Sequence, residues 1–364
     1  MTDRRFQFAF LLTAAVALLL LLVDAALLVQ GWLVVTLTWG AVPLGALAIL
    51  MAHGLTGGHW GEQSRPVWLA LAATVPLFAV SMVLLLPGMD ILFPWTRPAH
   101  SLPEVVQNKR LYLNPPFFVV RTLVFVLLWL MLAGALGVWA ADRRPQARVH
   151  APGLILWVLA VTFFGFDWLQ SLEPEFYSDI FGLMLGLQMI TAAMAAGIAF
   201  LAGGQNARTG AGALRDLANL WLALLLGWVF MAFSQYIIIW SGNLPDEIGW
   251  YLDRREGPWG PVGVVSFGLF FLLPFCVLLS SGAKGSRRWL SAAAVTCLAG
   301  HGLQVFWLVL PPFGPRPAWH HGLVAALVVA GGAGYLLFTR SYQAEGSKRR
   351  PAAGPTGDKG EQHV

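Results

Sequence analysis

The sequence predicts an all-α polytopic membrane protein with about ten transmembrane helices. Three observations predict it. Of 364 residues, 57% are hydrophobic and only 11% are charged, where a soluble domain carries about 25% charged residues. Ten apolar runs each reach the ~20 residues that a bilayer-spanning helix needs. Lys and Arg gather on one side, with sixteen of the 23 in one set of alternate segments and six in the other, as the positive-inside rule requires. Too few charges remain to wet a soluble surface of this size. An ordinary cytosolic enzyme, a disordered chain and a nucleic-acid binder are excluded. That distribution supports both termini in the cytoplasm, so the net charge of +5 is a topology signal and not a nucleic-acid one.

The spans are expected at approximately 7–28, 31–52, 67–88, 115–140, 152–171, 180–202, 213–240, 260–281, 287–310 and 320–339. Residues 1–340 then form a single integral membrane domain. Residues 341–364, rich in Gly, Pro, Ala, Lys and Arg, read as a disordered basic cytoplasmic tail. Arg4 and Arg5 precede the first apolar run, which could serve as a signal peptide. Its continuation past Asp24 favours a span.

Span two ends on the inner side in His53-Gly54-Leu55-Thr56-Gly57-Gly58-His59-Trp60-Gly61. This string lacks the GK[ST] ending of a phosphate loop and a strand before it, so nucleotide binding is rejected. His53 is a candidate for proton entry; a water-contacting histidine at a helix end is the alternative.

Span four opens at Asn114-Pro115-Pro116. Asn is a good N-cap and Pro suits the first helical position. Arg121 follows six residues in, roughly 9 Å along the axis. A charge there is costly unless it is paired or snorkels outward. Asp167 lies about one turn inside the same rim on span five. Pairing of Arg121 with Asp167 is the expectation, either as structure or as part of a proton path.

The outer loops hold the remaining candidates. Phe164 to Asp179 carries four carboxylates and no Lys or Arg. Glu173, Glu175 and Asp179 are candidates for outer-face docking or proton exit; a wet turn with interfacial aromatic anchors is the alternative. After span seven, Ser241-Gly242-Asn243 ends the helix, and Asp246 and Glu247 are expected to cap a short amphipathic helix lying flat on the membrane. Both are docking candidates. Ser234, Gln235 and Tyr236, one to two turns inside the span, serve interhelical hydrogen bonding or a proton path.

His301 and Gln304 share one face near the middle of span nine. A buried neutral histidine and a proton relay are the two readings. Haem b would need a second histidine at that depth. His53 sits at the boundary, and His320 and His321 at the outer end of span ten, so bound haem b is rejected. The two cysteines, Cys276 and Cys297, lie in apolar runs with no CxxC spacing, which argues against an iron–sulfur cluster, c-type haem or other metal in this chain.

Taken together, four strings resemble one family: HGLTGGHWG (His53 to Gly61), LNPPFF followed by Arg121, FDWLQSLEPEFYS (Phe166 to Ser178) and FSQYIIIWSGNLPDEIGWYL (Phe233 to Leu252). They look like the ActF family of bacterial alternative complex III, polysulfide-reductase-like (NrfD-like) membrane components of a quinol:cytochrome c or quinol:acceptor oxidoreductase. The resemblance runs from span two through span nine. It implies two four-helix bundles (spans two to five and six to nine) flanked by spans one and ten, in a bacterial inner membrane. It also implies a non-catalytic component with no redox cofactor of its own. Quinone would lie nearby. The implied partners are a sister NrfD-like membrane subunit, an iron–sulfur protein, haem c subunits and a terminal oxidase. The chain would support assembly and proton translocation.

Two other classes compete. A stand-alone secondary transporter or proton channel would fit ten spans, yet Pro76, Pro115, Pro116 and Pro274 show no pairing between two halves. An assembly factor for a respiratory oxidase would share the fold and differ in its neighbouring genes.

Overall fold

The structure, a computed structural model, describes residues 4–140, 147–203 and 210–349. It is all-α, with no strand among the described residues. The main helices are α1 (Arg4–Val23), α2 (Ala25–Thr56), α3 (His59–Leu92), α4 (Pro115–Ala135), α5 (Ala147–Trp168), α6 (Phe181–Gly203), α7 (Ala211–Ser241), the short α8 (Pro245–Arg255), α9 (Trp259–Leu279), α10 (Arg287–Val309) and α11 (Ala318–Arg349). Nine of these are long and apolar enough to cross a bilayer among the described residues. The protein is therefore a multi-pass membrane protein. The shorter α1, at 20 residues, still spans about 30 Å.

The first two spans divide earlier than expected, at Asp24 rather than near residue 29. The Asp24 side chain accepts a 2.8 Å hydrogen bond from the Ala26 backbone. It thereby caps α2, and hydrophobicity alone could not show that. The third span starts at His59, straight after the glycine turn, and breaks between Ala72 and Val75. Pro76 lacks the N–H a continuing helix needs, and the Thr74 hydroxyl donates to the Leu71 carbonyl at the break. In α9 one π turn, Gly268–Leu272, precedes Pro274. A wider turn accommodates the proline ring and its missing donor. The tail expected from residue 341 is helical at its start, because α11 runs on to Arg349. Residues 350–364, also read as tail, lie outside the described residues, as do Arg143, Arg144 and Arg208 of the charge count.

The two expected sets of helices each pack internally and join each other through broad α2–α6 and α5–α6 contacts. α2 to α5 pack together, and α6 to α10 do likewise. α6 sits at the centre and touches α2, α5, α7 and α10. Gly45 makes the α2–α6 approach possible, because a Cβ there would lie 2.2 Å from the Met189 carbonyl oxygen. α1 and α11 pack on each other and lean on α2, so both flanking helices lie on one side.

The first bundle is filled by aromatic rings. Phe78, Trp129, Phe164 and Trp168 form a continuous stack with Phe118 and Phe93. Edge-to-face and offset pairs of this kind add to burial. Trp157 crosses to α2, donating to the Leu44 carbonyl at 2.9 Å.

Candidate functional site

Most candidate residues gather at the rim assigned to the outside. Asn114 caps α4 as expected, accepting from the Phe117 backbone at 3.0 Å. This fixes where Arg121 emerges. Arg121 and Asp167 do pair: Nε donates to Oδ2 at 2.8 Å and Nη2 to Oδ1 at 2.9 Å. Nη1 donates to the Tyr112 carbonyl at 2.9 Å. The Tyr112 and Phe117 rings lie on the guanidinium at 3.8 and 4.3 Å. Asp167 is fully buried. A buried pair survives only when such extra bonds satisfy it. Burial and the neighbouring Asp167 charge hold the Tyr112 phenol well above its usual range.

A second buried pair lies beside it. Arg254, 1% exposed, donates to both Glu173 oxygens. It also donates to the carbonyls of Trp250 (3.1 Å), Trp307 (3.2 Å) and Leu308 (3.0 Å), while stacking on Trp250 at 3.8 Å. One guanidinium thus ties α8, the α5–α6 loop and the end of α10 together. Burial lowers the Arg254 pKa. In sequence Arg254 is simply one of the six positives on the outer side. Its place four residues after Trp250 on the buried face of α8 was the available signal. Glu173, expected to face a docking partner, is held inward by this bond. A third pair, Arg316 to Asp24 at 2.6 Å, joins the α10–α11 loop to the start of α2. It holds the Asp24 carboxyl below its usual range.

The other outer candidates divide. Glu175 and Asp179 are exposed and Glu247 is half-buried. Leu244, not a carboxylate, occupies the N-cap position of α8, and the Asp246 side chain lies outside those described. Lys109, one of the six positives on the outer side, donates to the Pro174 carbonyl at 2.6 Å. Gln235 takes part in a buried chain: the Ser178 hydroxyl donates to its Oε1 at 2.7 Å, and its Nε2 donates to the Tyr251 hydroxyl at 3.1 Å. Burial pushes the Tyr251 phenol up to about 12. Tyr236 stacks on Trp240 and meets Tyr251 edge-on. Ser234 is half-buried nearby on the same helix.

Three of the four strings behind the resemblance therefore meet at one rim. Arg121–Asp167 joins the second to the third. Ser178–Gln235 and the Phe176–Trp250 stack, at 4.7 Å, join the third to the fourth. The first string stays at the opposite end. There His53 lies over Gly61, where a Cβ would clash at 1.9 Å, contacts the Gly58 carbonyl at 3.1 Å and meets Trp60 edge-on. The buried His150, which the sequence reading passed over, packs against Gly54.

His301 and Gln304 sit apart from both rims. They share a face of α10 but bond to different neighbours. The Ser266 hydroxyl donates to Gln304 Oε1 at 2.8 Å. His301 Nε2 lies 3.1 Å from the Thr38 carbonyl and Nδ1 lies 3.2 Å from Gln188 Nε2. Gln188, a lone amide in the small-residue helix α6, was missed; a single Gln inside an apolar span is itself a signal. No hydrogen bond among the described residues links His301 to the Arg121–Asp167 pair. His320 and His321 lie at the outer end of α11, against Trp319 and Trp259.

No cluster of three or more His, Cys, Asp or Glu that could hold a metal occurs among the described residues. Compared with protein-family models and with curated proteins, the chain gives no match.

Proposed function

We propose that this chain is an integral membrane component of a quinol:acceptor oxidoreductase of the alternative complex III type, set in a bacterial inner membrane. It holds no redox cofactor of its own; haem c and iron–sulfur clusters belong to its partners. Its work is to seat those partners and to support proton translocation, with quinone nearby. One observation carries the reading. Three separated strings that resemble the family converge on one rim, where buried Arg121–Asp167 and Arg254–Glu173 pairs fix their backbones. Buried ion pairs are costly to desolvate, and removing one partner is strongly destabilising, so such pairs hold their backbones in one arrangement. A rigid outer platform, with Glu175 and Asp179 left exposed on it, suits docking of extramembrane subunits.

The test is purification in mild detergent with identification of bound proteins and haem spectra. The expected result is a sister membrane subunit, an iron–sulfur protein and haem c proteins in fixed stoichiometry. Recovery of the chain alone, or only with terminal-oxidase subunits, overturns the reading.

A further inference from the structure

The buried imidazole of His301 has a specific partner arrangement. The Thr38 carbonyl can only accept, so His301 Nε2 carries the proton and donates to it at 3.1 Å. Nδ1 therefore keeps a lone pair, which accepts from the Gln188 amide nitrogen at 3.2 Å. The other end of that amide, Oε1, is buried and has no hydrogen-bond partner. A buried acceptor left unpaired is costly and calls for a reason. Both side chains also line a cavity of about 10 Å³, roughly the room one water needs. Leu37, Leu169 and Leu308 also line it. The Leu308 carbonyl, on its outer side, accepts from Arg254.

We propose that Gln188 and His301 form an internal proton-holding site whose amide turns over with the charge of the imidazole. In the neutral state the amide NH2 faces Nδ1. When a hydronium reaches the cavity, the amide rotates by half a turn and uncovers the Nδ1 lone pair. The proton passes from hydronium to Nδ1, leaving one water. Oε1 then accepts from the new Nδ1–H, and the NH2 turns to the cavity water. The rotation gives up no other bond, because Oε1 had none. Each charge state of the ring is thus fully hydrogen-bonded.

The surroundings leave this pair to act alone. α2 offers Thr38, α6 offers Gln188, and the π turn of α9 offers the Phe270 ring at 6.1 Å. On its own helix the neighbours are Gln304 and the buried thiol of Cys297. The charged groups beyond the cavity are Arg254 and its partner Glu173. The inference deepens the proton-carrying part of the proposed function, on which it rests for purpose but not for chemistry.

The test is ¹⁵N-histidine NMR of the full chain in lipid bilayers, with the His301 signal assigned by its loss in His301→Phe. At neutral pH the ring should be the Nε2–H tautomer, and on acidification Nδ1 should take a proton while the protein stays folded. Gln188→Leu should lower the proton affinity at least about tenfold, one pH unit, and the isosteric Gln188→Glu should raise it by a similar factor. Thermal melting of each variant confirms folding. An Nδ1–H tautomer at neutral pH overturns the proposal. So does an unchanged midpoint in a folded Gln188 variant, or a ring that never protonates before unfolding. Because the isolated chain is measured, these outcomes are independent of which partners co-purify.

Discussion

Asp167→Asn should destabilise the protein far more than its one-atom change suggests. Arg121 cannot shed its proton in a protein, so the substitution strands a cation in a site only 9% exposed. Removing one partner of a buried pair costs about 3–5 kcal/mol. The structure returns part of this. The Tyr112 carbonyl still accepts from Nη1, and two rings lie at 3.8 and 4.3 Å, together worth ~1–2 kcal/mol. The expected net loss is about 1–4 kcal/mol. The double variant Arg121→Met, Asp167→Leu removes both charges and should lie within about 1 kcal/mol of the parent. Equilibrium unfolding in mixed micelles, run as a double-mutant cycle, reads both numbers. Asp167→Asn within about 0.5 kcal/mol of the parent, or a double variant less stable than either single one, would refute the reasoning.

Arg254→Met should free α8, exposing Trp250 to quenchers and opening the chain to proteolysis near residue 255; unchanged protection would count against the triple tie. Gly300→Ala places a Cβ 2.2 Å from the Phe270 backbone nitrogen, so it should lower the melting temperature by several degrees. Gly322→Ala, with nothing within 4 Å, should leave it unchanged. The Asp24 carboxyl is held below its unfolded value by Arg316. Its contribution is therefore present above about pH 4 and is lost as pH falls through the lower folded value. Asp24→Asn should abolish that acid-side slope in a pH series of melting temperatures. If Asp167 also moves protons, Asp167→Asn should reduce proton release by a complex that remains assembled.

Element type was legible because hydrophobicity reports the solvent directly, and nine of the ten expected spans are long and apolar enough to cross a membrane among the described residues. Arg121–Asp167 was legible because two charges at matching depth under one rim have few other partners. Asp24 was not, because apolar residues run unbroken on both sides and only its capping bond marks the boundary. Arg254–Glu173 spans 81 positions, and nothing local in the sequence connects such distant residues. Gln188 was overlooked because its importance comes from His301, 113 positions later. In each case the missing information was tertiary: which helix faces which, and at what height.

The Arg316–Asp24 pair carries a consequence for how the molecule is made. Its members stand 292 positions apart. At ~5–20 residues per second of synthesis, Asp24 waits roughly 15–60 s for its cation. Through that interval the first two helices are inserted with an unmatched carboxylate at their shared corner. The loop before α11 supplies the closing charge, so α1, α2 and α11 cannot be locked together until residue 316 has emerged.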